Sequence, residues 1–181
     1  DWSSDVCSSD LEVGKQAARH GKKVLLHYGS ERVRKTGLLD EVRKNLEAAG
    51  LSVIELGGVQ PNPRLSLVEK GIELARKEKV DLILALGGGS VIDSSKAIAV
   101  GVPATCPVWD FYEYVSSPKA AIPVASILTI PAAGSESSNS SVITNEDGNL
   151  KRGLSHDLIY PVFSILNPEF CFTLPAWQVG S

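Results

Sequence analysis

Residues 81–101 read DLILALGGGSVIDSSKAIAVG. After Asp81 five apolar residues follow without interruption, so the strand they form is apolar on both faces. Such a strand belongs in the middle of a parallel sheet, covered above and below. Gly87, Gly88, Gly89 and Ser90 come next, and residues 91–100 then take helical spacing. A buried strand, a glycine turn and a helix in about twenty residues is the repeating unit of an α/β domain.

The flanking sequence repeats this unit. Residues 23–28 (KVLLHY) form a strand that ends at Gly29. Leu38, Leu39, Val42 and Leu46 recur on one helical face, with Asp40, Glu41, Arg43, Lys44 and Glu47 on the other, and Gly50 stops the helix. Residues 51–56 (LSVIEL) form a second strand, closed by Gly57 and Gly58. A loop with Pro61 and Pro63 follows, then a helix on Leu65, Val68, Ile72 and Ala75. On the C-terminal side Pro103, Pro107, Pro118 and Pro123 interrupt the chain among Trp109, Phe111, Tyr112 and Tyr114. Residues 124–129 form another buried strand, followed by the small-residue run PAAGSESSNSS at 131–141. Residues 142–144 suit a short strand, Asp147 and Gly148 a turn, and residues 160–166 (YPVFSIL) a last strand. Pro161 suits its start or a sheet edge. Parallel strands joined by helices predict an α/β domain with a doubly wound, mostly parallel, Rossmann-like sheet.

The composition excludes other classes. A 43% hydrophobic and 22% charged chain is not disordered. With 18 basic against 21 acidic residues and a net charge of −3, nothing favours nucleic acid or an anionic membrane surface. No apolar run approaches the ~20 residues needed to span a bilayer. Cys7, Cys106 and Cys171 have no metal or disulfide spacing, and a reducing, cytoplasmic compartment is expected. Residues 1–11 (DWSSDVCSSDL) resemble a translated sequencing adapter. They are set aside as non-native and expected to pack poorly. The α/β domain is assigned to residues 12–170.

The glycine run is the main chemical signal. Residues without Cβ let backbone N–H groups approach a ligand, and the helix start adds donors and a positive dipole end, which together suit a phosphate or pyrophosphate. A tight turn needing positive φ is the plainer reading. Neither GxGxxG nor GxxxxGK[ST] occurs, which disfavours an ordinary Rossmann dehydrogenase and a P-loop kinase. Ser90 and Asp93 also fit a capping box, so for Asp93 a cap and a ligand contact stand equal. Residues 129–137 (TIPAAGSES) offer a wall for a flat ring or a ribose. In the turn Gly29, Ser30, Glu31 and Arg32, the glutamate can accept from a ribose hydroxyl and the arginine can pair with a phosphate, although surface charge explains both. His20, His27 and His156 form no ligand set, no GxSxG elbow occurs, and Cys106 and Cys171 read as inert thiols.

Five ordered motifs carry a resemblance. They are KTGLLDEV (35–42), GGVQPNP (57–63), ALGGGSVIDSSKAIA (85–99), LTIPAAGSES (128–137) and PVFSILNPEFCFTLPAWQV (161–179). From about Gly21 onward the chain resembles the iron-type (group III) alcohol dehydrogenases, in their butanol dehydrogenase-like branch. The resemblance implies a dehydroquinate synthase-like N-terminal domain followed by a helical metal domain. It implies oxidation of primary alcohols or reduction of aldehydes with NAD or NADP, a divalent Fe or Zn ion, and a homodimeric full-length parent. By position, Gly87, Gly88, Gly89 and Ser90 should hold the pyrophosphate, with Asp93 close by. Thr129 and Ser135 should line the adenosine or nicotinamide side, and Lys151 should lie near the ribose. Asn62, Gly29, Ser30, Glu31 and Arg32 should surround the adenine ribose, where Glu31 disfavours a 2′-phosphate and Arg32 favours one.

The family's metal ligands follow the TLP motif at 173–175, and none is matched here. Residues 171–181 are therefore assigned to the start of the metal domain, and catalytic and metal residues in this chain to none. The chain is expected to be an N-terminal fragment that binds the nucleotide weakly, self-associates and does not reduce an aldehyde unaided. Glycerol dehydrogenase-like and dehydroquinate synthase-like enzymes, or a non-catalytic nucleotide-binding module, are the alternatives, with a flavodoxin-like domain behind them.

Overall fold

The computed structural model describes residues 9–29 and 31–167. Residues 1–8, Ser30, residues 168–181 and the side chains of Ser9, Asp10, Leu11, Glu31 and Arg32 lie outside that description, and with them the expectations attached to Ser30, to the side chains of Glu31 and Arg32 and to the start of the metal domain. Five strands form one parallel sheet in the order β2-β1-β3-β4-β7: β1 (Lys23–Tyr28), β2 (Ser52–Leu56), β3 (Leu82–Gly87), β4 (Val124–Leu128) and β7 (Phe163–Leu166). The chain places β2 on one side of β1, then crosses to lay β3 on the other. Strand order therefore reverses between β1 and β3.

Alternation along the strands separates two apolar layers, although β1 and β3 are buried almost throughout. Val24, Leu26, Tyr28, Leu82, Leu84 and Leu86 face helix α1 (Ser9–Ala18) and helix α3 (Leu38–Ala48), which supply Val13, Ala17, Leu39, Val42 and Leu46. Leu25, Ile83 and Val124 face helix α4 (Leu65–Glu78) and helix α5 (Gly89–Gly101). The short helices α2 (Glu31–Lys35) and α6 (Trp109–Tyr112) are the other α-helices among the described residues. A sheet covered on both faces is the doubly wound arrangement expected from the apolar runs.

Several elements differ from the sequence reading. Helix α1 was not anticipated; it starts at Ser9, inside the segment set aside, and among its described side chains Val13 and Ala17 are the ones that join the core. Strands β5 (Ser140–Asn145) and β6 (Leu150–Ser155) form a separate antiparallel hairpin, of which only part of β5 was foreseen. The β6 sequence, LKRGLS, buries only Leu154, so it carries no alternation to read. The last strand begins at Phe163 rather than residue 160, and among the described residues it is an edge strand, in keeping with Pro161 just before it.

His27 on β1 is fully buried and joins three elements. Its Nδ1–H donates to the Leu56 carbonyl at 2.7 Å, and its Nε2 lies 2.8 Å from the Ser94 hydroxyl on α5. The carbonyl can only accept, so Nδ1 carries the proton and Ser94 donates to Nε2. Burial pulls the imidazole down to about 4, against the opposing effect of the Leu56 carbonyl. The folded state therefore binds this proton less readily than the unfolded chain. The stability His27 supports is complete above the ordinary value of 6.5 and is lost as pH falls toward 4. Between pH 7 and pH 4.5 the parent should lose roughly 2–3 kcal/mol more than a His27→Gln variant, measured by denaturant unfolding. Equal losses would show that a buried neutral His27 does not govern acid sensitivity.

Candidate functional site

The crevice beyond the carboxyl ends of β1 and β3, where strand order reverses, is where open α/β sheets hold ligands. Gly29 ends β1 there and Gly87 ends β3. A Cβ on Gly29 would lie 3.3 Å from Cγ2 of Val91, so the two strand ends meet at the start of α5.

None of the three consecutive glycines has a positive φ; those that do among the described residues are Gly37, Gly50, Gly58, Gly134 and Gly148. Turn geometry does not explain the run. A Cβ on Gly87 would sit 2.6 Å from Cγ2 of Val91, and one on Gly89 would sit 3.0 Å from Cβ of Ala133. Both are demanded by packing inside the chain. Gly88 differs: its φ is −92° and ψ −169°, and its nearest neighbour would be Cβ of Ile130 at 3.7 Å. The fold itself accepts a side chain at Gly88, yet the position is bare.

Gly88 is also the residue that caps α5, accepting from the Val91 and Ile92 N–H groups at 3.0 and 3.2 Å. The capping box, one of two equal readings of Ser90 and Asp93, does not form, because the helix starts at Gly89 and Ser90 is already inside it. The Gly89 and Ser90 N–H groups precede any helical acceptor and point out of the helix start. Thr129 lies beside them, its N–H donating to the Gly87 carbonyl at 3.1 Å.

Asp93 turns toward the hairpin. Its Oδ2 accepts from the Val142 N–H at 3.1 Å, and its carbonyl accepts from the Ser141 hydroxyl at 2.8 Å. Its Oδ1 is buried without a hydrogen bond. Burial raises the carboxyl above its ordinary range, opposed by the Val142 N–H, by nearby Ser135 and by the charges of Lys96 and Lys151. Asn62 and Lys151 meet directly, Nζ donating to Oδ1 at 2.7 Å. The Thr144 N–H donates to the Pro63 carbonyl at 2.8 Å, which ties their loop and hairpin together. Expected site residues thus fall into two groups: the glycine run with Gly29, Ser90, Thr129 and Ser135, and the Asn62–Lys151 pair. Asp93 is the bridge between them.

Lys96 was missed. It is fully buried, and its ammonium donates to the carbonyls of Ser135, Ser138 and Ser140 at 2.7, 2.7 and 2.9 Å, and to the Ser138 hydroxyl at 3.3 Å. Burial pulls it down to about 8, while Asp93 and Glu136 resist. Its one signal in sequence was a lysine amid the apolar and small residues of α5. Among the described residues no cluster of three or more His, Cys, Asp or Glu side chains suits a metal ion, and no helix is long and apolar enough to cross a membrane.

A model of the iron-containing alcohol dehydrogenase family matches residues 9–168. The NADH-dependent butanol dehydrogenase A of Clostridium acetobutylicum is 41% identical over 169 residues, which is 93% of this chain and 43% of that protein. The NADPH-dependent aldehyde reductase YqhD of Escherichia coli is 38% identical, across 90% of this chain and 42% of its own length. The crystal structure of a Thermotoga maritima NADH-dependent butanol dehydrogenase A superposes with a TM-score of 0.88 at 40% identity, over 95% of this chain and 43% of that one. The chain therefore spans less than half the length of the relatives it matches.

A buried polar chain under α5 has a fixed direction. Ser141 gives its proton to the Asp93 carbonyl, so the buried Tyr112 hydroxyl, 2.7 Å from Ser141 Oγ, must be the donor of that pair. Ser141→Ala orphans a buried phenol and should cost about 1–3 kcal/mol. Tyr112→Phe leaves Ser141 still donating and should cost less, and the double variant should be milder than the sum. Additive losses in denaturant unfolding would refute this chain.

Proposed function

The chain belongs to the iron-containing alcohol dehydrogenase family, and we propose that it forms the nucleotide-binding half of an enzyme that moves a hydride between a nicotinamide and a primary alcohol or aldehyde. Gly88 carries the reading. It needs no positive φ and would meet no clash if it bore a side chain, so the use of its bareness lies outside the chain. A dinucleotide pyrophosphate is the group that such a strand–glycine–helix junction fits.

The residues present suit that ligand. The Gly89 and Ser90 N–H groups donate to phosphate oxygens at the positive end of α5, and Gly88 leaves them uncovered. Thr129 and Ser135 line the wall beside them, and Asp93 holds that wall and the hairpin to the helix. Asn62 and Lys151 present an amide and an ammonium to the ribose side, and Gly29, Ser30, Glu31 and Arg32, which follow β1 in the sequence, are the further ribose residues of this reading. The nucleotide, when bound, supplies or accepts the hydride. Both NAD and NADP fit this reading, since Glu31 favours a free ribose hydroxyl and Arg32 a phosphate.

An iron or zinc ion finds no ligand cluster among the described residues, and its site is assigned to the rest of the family's fold. The reading extends to a homodimeric parent in the cytoplasm.

Gly88→Ala tests it without threatening the fold. The variant should melt within a few degrees of the parent and bind NADH at least tenfold more weakly in titration calorimetry, and Gly88→Val should abolish binding. Parent-like affinity in a folded Gly88→Ala chain would sink the assignment.

A further inference from the structure

Lys96 has no part in the binding roles given above, yet it is the most completely enclosed charge among the described residues. Its four contacts all lie on one segment, residues 135–140, and three of them are main-chain carbonyls. A compact ammonium with three rotatable donors suits convergent carbonyls, whereas an aliphatic side chain there would strand them. The same segment brings Ser135 and Ala133 against Gly89, where a Cβ would meet Ala133 at 3.0 Å and the Ser135 hydroxyl at 3.3 Å. A second tether comes from the sheet: Ser126 donates to Ser164, and Ser164 donates to the Glu136 carbonyl, each at 2.8 Å. The segment is thus held from beneath by α5 and from the side by β7. Its position fixes the gap between the start of α5 and the wall opposite.

We propose that Lys96 is a positioning residue of the nucleotide site, its ammonium fixing residues 134–140 at the spacing that a dinucleotide needs from the start of α5. The inference rests on the nucleotide reading above, but one of its consequences does not involve the nucleotide. Loss of the ammonium frees the segment whether or not a ligand is present. The charge itself is balanced by Asp93 on the same helix and Glu136 on the segment, with Lys151 acting on Asp93 from the hairpin.

The test compares the parent with Lys96→Met and Lys96→Arg in the 181-residue chain. Amide hydrogen exchange in residues 134–140 should quicken about tenfold in Lys96→Met, while amides of β1 and β3 keep parental rates. NADH, followed by its fluorescence, should bind about tenfold more weakly, as expected when a charge-assisted support is removed. Lys96→Arg, which keeps charge and donors, should recover part of both. Unchanged exchange and affinity in folded Lys96→Met would overturn the proposal. A parent that binds no NADH would overturn the nucleotide reading instead, and the exchange data would still decide whether Lys96 holds the segment. Should Lys96→Met fail to fold, nitrogen-15 lysine spectra of the parent decide. A slowly exchanging Lys96 ammonium coupled to the three carbonyls supports the proposal, and a freely exchanging one refutes it.

Discussion

Helix α5 is enclosed on all sides, and that enclosure dictates the arrangement of everything near it. From Ser94 to its last residue every side chain is buried. A helix in this position cannot leave polar groups to solvent, so each must find a partner in the chain. Ser94 reaches His27 on β1, Ser95 bonds back to the Val91 carbonyl, and Lys96 reaches the segment after β4. Asp93, one turn nearer the helix start, reaches the hairpin. Four consecutive polar residues thus look in different directions and fasten the sheet, the small-residue wall and the hairpin to one axis.

The two ends of this helix are treated differently. At the C-terminal end the Arg76 guanidinium from α4 donates to the carbonyls of Gly101, Val102 and Ala104 at 2.7, 2.8 and 2.6 Å. A cation there complements the negative end of the macrodipole and satisfies acceptors that the helix leaves over. At the N-terminal end no side chain caps the helix. The donors face the crevice instead. Gly87 and Gly89 bring strand, helix and wall close together, and Gly88 keeps the approach open. Three identical residues therefore meet three different demands, and only the middle one faces outward.

Much of this was legible because burial writes itself into composition. The strands β1 and β3 are apolar on both faces, and the glycine run sits at their junction with α5, so the sheet followed from the sequence, and so did the place of the glycine run in the candidate site. What was not legible has a physical reason in each case. Among the described side chains of helix α1 two small apolar ones, Val13 and Ala17, join the core, too few to make a stripe. Strand β6 offers Lys151, Arg152 and Gly153 to solvent and hides only Leu154. The Ser90–Asp93 pair matched a cap in spacing, but the helix begins at the glycines and Asp93 is used elsewhere. The grip of Lys96 was invisible because its partners are carbonyls, which every residue has. A main-chain acceptor leaves no mark in a sequence, and only the donor, a lysine in an apolar helix, can be noticed.

The small residues of the segment 131–141 gain a role from these contacts. Without large side chains it cannot hold its place by packing, and a loop of serines and glycine would otherwise sample many conformations. Hydrogen bonds from two directions replace the missing core: Lys96 from the helix, and Ser164 from the sheet edge. The hairpin that continues from it is fixed to the same helix by Asp93 and by the Tyr112–Ser141 pair. One side of the crevice is therefore a single connected unit with α5. The other side is tied by main-chain bonds, with Gly58 and Val59 donating to the carbonyls of Gly29 and Tyr28. A cleft ordered in this way has little conformational freedom left to lose when a ligand arrives, and that saving goes into affinity. Small residues give the cleft its width, and the buried lysine keeps that width constant.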